Sequence, residues 1–315
     1  MAENQPAGRQ ETLDYESFFA GTRRLRRESP ALQTFTIGRS ALGRGVTALM
    51  LGNGTPHALF VGALRAGESP AAAALLRFAQ ELCRSLAADG NLRGTDVREL
   101  LSRGSVYLVP MPNPDGVEIR LKGANTAGAL RENVRRLAAG DCSGWQANAR
   151  GVDLTRNFNA GFDRVIGEEI ARQRVGPAQE GFFGIRAESE PETHALCNLC
   201  RRIPFRRAVC FHTGGRRLGW YYGERTPKAA HTAALQLARA GGCTLRRKEE
   251  GYEPGTFPAW FTRVFARPAL DVGIGNAGMA DAVGRSGNAQ KSEEGESADT
   301  LCNRLLEVML EGLAL

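Results

Sequence analysis

The chain has 315 residues, 42% of them hydrophobic, enough for one large α/β domain or two small ones with a substantial core. Its net charge is +7, but the 41 basic residues comprise 37 Arg and only four Lys. The doublets Arg23-Arg24, Arg26-Arg27, Arg201-Arg202 and Arg206-Arg207 are scattered without aromatic interleaving, so solvated helix faces explain them better than a nucleic-acid surface. No apolar run reaches the length of a membrane span, and residues 1–27 carry no signal-peptide core. Seven cysteines, several in apolar contexts (Cys83, Cys210, Cys302), fit reduced thiols rather than a disulfide framework. The expectation is a soluble, cytoplasmic protein with no membrane or nucleic-acid partner.

Residues 1–12 are expected to be a flexible N-terminus preceding one domain over 13–315. Leu13 to Glu28 reads as an opening helix, with Tyr15, Phe18, Phe19 and Leu25 near helical spacing. Thr34–Ile37 and Val46–Leu51 form a β-hairpin pattern around Gly43 and Gly45. Leu59–Leu64 is a buried strand, followed by an Ala/Leu helix over Pro70–Ala88 and a strand over Val106–Pro110 that ends in Asn113-Pro114-Asp115-Gly116. Residues 117–188, rich in Gly, Asn and Arg, have weak periodicity and predict a loop-dominated excursion of the kind that carries function. Helices are then predicted over Glu190–Arg202, Pro227–Ala240, Pro258–Phe265 and Ala298–Leu313, and strands over Ala208–His212 and Pro268–Val272. In the last helix Leu301, Leu305, Val308, Met309 and Leu313 face inward. Gly284–Ser297 reads as a polar loop. Alternating strands and helices imply a single α/β domain with a mixed, twisted sheet flanked by helices on both faces.

Two motifs are decoys. Cys197-Asn198-Leu199-Cys200 lies inside a helical pattern with no second pair, so it reads as two cysteines on a helix face. Gly273-Ile274-Gly275-Asn276-Ala277-Gly278 follows a strand, but no helical periodicity or second strand succeeds it, so it reads as a Gly-rich loop rather than a dinucleotide site.

Six segments carry the functional signal in a fixed order. They are Thr36-Ile37-Gly38-Arg39-Ser40-Ala41-Leu42-Gly43-Arg44, Val61-Gly62-Ala63-Leu64-Arg65-Ala66-Gly67-Glu68, and Val109-Pro110-Met111-Pro112-Asn113-Pro114-Asp115-Gly116. Trp145 to Phe158, including Gly151-Val152-Asp153-Leu154-Thr155-Arg156-Asn157, comes next. Ser189-Glu190-Pro191-Glu192-Thr193 and Val209-Cys210-Phe211-His212 complete the set. Together they resemble the zinc carboxypeptidase family, particularly its bacterial branch that includes γ-D-glutamyl-diaminopimelate peptidases. A catalytic Zn²⁺ requires three protein ligands and an open position for water.

The resemblance implies that Glu68 and His212 are metal ligands and places Arg65 where the family has its first histidine. A guanidinium cannot coordinate a metal. It also places Asp271 at the position of the general-base Glu, one methylene short, and a displacement of ~1 Å can cost about a hundredfold in rate. Thr155 and Arg156 stand at the pair that grips the terminal carboxylate, Gln146 at the position of a charged oxyanion stabiliser, and Tyr252 near the mobile-loop tyrosine. The other histidines offer no replacement ligand: His57 opens a strand, and His194 and His231 sit on predicted helices. Arg65 is expected to pair with Glu68 or Asp271. The resemblance therefore implies either zinc-dependent hydrolysis of C-terminal peptide bonds, with muropeptides as the substrate class, or a peptide-binding protein that has lost the metal and catalysis.

Overall fold

The structure is a computed structural model that describes residues 12–173, 175–247, 252–275 and 298–314, with side chains of the last segment from Asn303 onward. It opens with helix α1 (Tyr15–Glu28), whose N-cap Asp14 accepts a hydrogen bond from the Ser17 amide. The hairpin β1 (Gln33–Arg39) and β2 (Gly45–Gly52) follows, then β3 (His57–Val61) and the long helix α2 (Ser69–Ala87), entered through Pro70 in its first turn. A small ladder of β4 (Asn91–Leu92) and β5 (Thr95–Asp96) leads into α3 (Val97–Arg103) and β6 (Ser105–Val109).

The stretch expected to be loop-dominated contains three helices, α4 (Pro114–Lys122), α5 (Arg131–Leu137) and α6 (Phe162–Ala171). After it come α7 (Pro191–Arg202), β7 (Phe205–His212), β8 (Arg217–Gly219), α8 (Lys228–Gly241), β9 (Thr244–Leu245), α9 (Phe257–Phe265), β10 (Ala269–Gly273) and α10 (Ala298–Ala314). The inward positions Leu305, Val308, Met309 and Leu313 of α10 are buried as predicted. Leu301, Cys302, residues 1–11, the predicted loop 284–297 and the second half of the Gly-rich decoy lie outside the described side chains or residues.

The eight-stranded sheet has the order β1-β2-β6-β3-β7-β10-β8-β9. Its centre, β6-β3-β7-β10, is parallel, while β1-β2, β2-β6 and β10-β8 are antiparallel, so the sheet is mixed. One face is covered by α1, α2, α8 and α10, through Phe18, Leu75, Phe78, Leu237 and Met309. The other packs α7 and α9 through Leu196, Cys197, Cys200, Trp260 and Phe261. Cys197 and Cys200 are thus core residues, and burial pushes both thiols far above the ordinary range, which makes them inert.

The parallel register brings one end of three strands together: Val61 lies opposite Cys210, Cys210 opposite Asp271, and His212 opposite Gly273. Ligands in open α/β sheets bind outside the carboxyl ends of such strands. His57, at the other end of β3, borders a separate cavity of about 570 Å³ with Asp96, Arg103 and Arg207; His194 and His231 lie on α7 and α8.

Candidate active-site cleft

Just past β3 the chain bends at Ala63, whose φ of 34° is a left-handed value that a residue with a Cβ rarely adopts. The bend carries Leu64 to Glu68 across the sheet end. Asn113, the N-cap of α4, clamps it there by donating to the Leu64 and Ala147 carbonyls. Gly67 leaves room for two long side chains: a Cβ would sit 2.8 Å from Gln146 Oε1 and 3.3 Å from Arg120 Cζ, so their ends would have to shift. Gln146 Oε1 accepts from the Gly67 amide, and its carbonyl accepts from Ala66, so this side chain buttresses the turn.

Glu68 is buried, and its Oε2 accepts from the Arg65 amide at 3.0 Å. Burial raises its pKa, a tendency that the charges of Arg65 and His212 only partly reverse. Arg65 reaches neither of its expected ion-pair partners. Its Nε lies 3.8 Å from Oδ2 of Asp153, a residue to which the sequence reading assigned no role. Burial opposes its charge, but the carboxylates of Asp153, Glu68, Glu253 and Asp271 outweigh that and hold its pKa above the ordinary value. Arg65 is therefore a permanent cation at the centre of the acidic cleft.

Asp153 is buried and firmly oriented. Its Oδ1 accepts from the amide and hydroxyl of Thr155 at 3.0 and 2.6 Å, and its Oδ2 from the Gly181 amide. The Thr155 hydroxyl is thus committed to Asp153. Three residues beyond Asp153, in the same 3-10 turn, Arg156 is nearly buried, with Nη1 making no hydrogen bond among the described residues and lying 3.6 Å from Glu168 Oε2. A buried donor left unpaired is costly, and an incoming carboxylate would satisfy it.

On the opposite wall His212 Nε2 stands 3.5 Å from Asp271 Oδ2. Beside Asp271 the buried hydroxyl of Tyr222 has no hydrogen-bond partner among the described residues; burial, then the Asp271 charge, keeps it protonated. Tyr252 packs edge-on against the Tyr222 ring at 6.4 Å. Arg120, which the sequence reading missed, donates to the Trp145 carbonyl and has its pKa lowered by burial, against the opposing pull of Asp141.

The structure therefore gathers Arg65, Glu68, His212 and Asp271 at one end of the sheet, with Asp153, Thr155 and Arg156 in a neighbouring turn. Among the described residues, no group of three His, Cys, Asp or Glu side chains is arranged to hold a metal ion. Glu68 and His212 supply two donors of the right chemistry, and the third position holds a cation without a lone pair, so this donor set does not fit the three-ligand requirement.

The zinc carboxypeptidase profile matches residues 20–265, and these include every residue of the cleft except Asp271. The chain belongs to the zinc carboxypeptidase family. It is similar to gamma-D-glutamyl-L-diamino acid endopeptidase 1 of Lysinibacillus sphaericus, 27% identical over 85% of this chain and 66% of that protein. An uncharacterized protein of Bacillus subtilis is 28% identical over 78% of this chain and 65% of its own length. The chain thus spans just under two thirds of these curated relatives. Over a shorter stretch, 22% of this chain and 29% of the relative, it is 42% identical to murein peptide amidase A of Escherichia coli. The zinc carboxypeptidase fold is also that of the carboxypeptidase A of Helicoverpa armigera, with a TM-score of 0.70 at 17% identity, covering 96% of this chain and 73% of that one. Among the described residues, no helix is long and apolar enough to cross a membrane.

Proposed function

We propose that this chain is a zinc carboxypeptidase-family protein whose cleft binds the free C-terminus of a peptide without a metal ion and without hydrolysing it. The observation that carries the reading is Arg65, a permanent cation at the proposed first metal-ligand position, paired with Asp153 and favoured at longer range by the charges of Glu68, Glu253 and Asp271. It supplies part of the charge compensation that a metal would otherwise supply, and it repels a divalent ion. The groups expected to break the bond are also engaged or weakened. Asp271, shorter than Glu, faces His212, and the Gln146 carboxamide supports the Gly67 turn and brings no charge.

What persists is recognition. Arg156 retains a buried Nη1 that makes no hydrogen bond among the described residues and has only the Glu168 carboxylate nearby, at 3.6 Å, and a planar guanidinium fork is not replaced by Lys. Muropeptides are the proposed ligand class, since curated relatives act on γ-D-glutamyl-diamino acid and murein peptides. Calorimetric titration of such a peptide with a free or amidated C-terminus tests this. The free acid should bind, and the amide and the Arg156→Ala variant should each lose about ten- to a hundredfold in affinity, the worth of a charge-assisted hydrogen bond. Equal binding of acid and amide, unchanged by Arg156→Ala, would refute the proposed role.

A further inference from the structure

Arg156 does not face an empty site in the free protein. Helix α6 brings Glu168 to within 3.6 Å of its Nη1, just beyond hydrogen-bonding distance. That carboxylate is shared. Its Oε1 accepts from Arg164 Nε at 2.9 Å, and its Oε2 lies 3.8 Å from Arg172 Nη1. Three guanidiniums thus lie near one carboxylate; Arg172 hydrogen-bonds Glu169 instead, at 2.6 Å, and Arg156 is the most buried of the three, its side chain being 14% exposed against 64% for Arg164 and 44% for Arg172. The hydrogen bond from Arg164, one turn back on α6, engages Oε1 of Glu168, while Oε2 is the oxygen that faces Arg156.

We propose that Glu168 is a specificity-determining counter-ion. It orients Arg156 in the unliganded cleft, is engaged at its other oxygen by Arg164, and yields Arg156 only to a ligand bearing its own carboxylate. The inference rests on the terminal-carboxylate reading above and adds the residue that sets its selectivity. A neutral ligand end would have to leave the Arg156–Glu168 pair intact and would gain nothing from Nη1. A carboxylate replaces Glu168 as the partner of Arg156, and Glu168 keeps its hydrogen bond from Arg164, so no charge is stranded.

The arrangement predicts opposite signs for two substitutions. Glu168→Gln removes the competitor and should tighten binding of L-alanyl-γ-D-glutamyl-L-lysine by about three- to tenfold, as expected for a partly exposed ion pair, with no change for its C-terminal amide. Arg164→Ala frees Glu168 to close on Arg156 and should weaken binding of the free acid by about threefold; in the double variant that loss should vanish. Titration calorimetry on the full chain, with thermal midpoints confirming that each variant folds, reads these effects. An unchanged or weaker affinity of Glu168→Gln for the free acid, equal shifts for acid and amide, or an Arg164→Ala effect that persists in the double variant would overturn the role of Glu168. If the folded wild type binds neither peptide, the terminal-carboxylate reading itself fails, and this inference with it.

Discussion

At the scale of single residues, the cleft's charge is set by Arg65, a fixed cation at the position proposed to match the family's first metal ligand. Arg65 satisfies the buried Asp153, whose other contacts are hydrogen bonds from Thr155 and Gly181. An imidazole at position 65 would offer a lone pair, and Asp153 would be placed to accept from its second ring nitrogen, the arrangement that orients metal-bound histidines. Arg65→His should therefore gain roughly one zinc ion per chain after dialysis, measured by elemental analysis, with Glu68 and His212 as the other donors. If that variant remained metal-free, Arg65 would not be what keeps metal out of this cleft. The partnership of Arg65 with Asp153 was not legible in the sequence. Residue types name candidates for an ion pair, but only the packed turn 153–156 decides which of several carboxylates stands nearest.

At the scale of elements, the family motifs hold the cleft in shape more than they enter it. Asp115 accepts from the Leu42 amide and pairs with Arg44 at 2.7 Å, and Glu192 accepts from the Ala41 amide. Asn148 donates to both Glu190 and Glu192 at 2.8 and 3.3 Å. Segments that look catalytic in the sequence are thus one buried network tying the β1–β2 hairpin, α4 and α7 together. Gly116 has a similar structural reason, since a Cβ there would lie 2.3 Å from the Ala147 carbonyl.

Burial pushes the Glu192 carboxyl from 4.5 up to about 7, opposed by hydrogen bonds such as that from Ala41. Between those values the folded chain holds a proton that the unfolded chain releases, so stability declines as pH rises through 7. The loss attributable to this group is at most about 3 kcal/mol. Urea unfolding at pH 5 and pH 8 should show that decline in wild type and lack it in Glu192→Gln; the same decline in both would assign it elsewhere. The sequence showed the long helices and core strands because their apolar periodicity is strong. It hid α4, where Asp115, Gly116, Val117, Glu118 and Ile119 are all buried and leave no polar face to mark a period, and α5, whose charges outnumber its apolar residues. Two-residue strands such as β9 are too short to register at all.

At the scale of the whole molecule, the family architecture is retained, and the proposed departure from the family is confined to the strand ends and the turns beside them. The parallel centre of the sheet still delivers three strand ends to one place, and α2 still begins directly beyond Glu68. The positions proposed to depart from the family, 65, 146, 155 and 271, lie in the cleft and its supporting turns, where charge and reach matter more than packing volume. Fold recognition is therefore insensitive to them, and the sequence shows ancestry more plainly than activity. In the proposed cleft Arg65 takes the place of the metal. The most direct test is the zinc content of the purified full-length protein after dialysis against a metal-free buffer containing a trace of added zinc. Well below about 0.1 zinc ion per chain is expected; about one tightly held ion per chain, the stoichiometry of a three-ligand site, would mean that Arg65 does not exclude the metal.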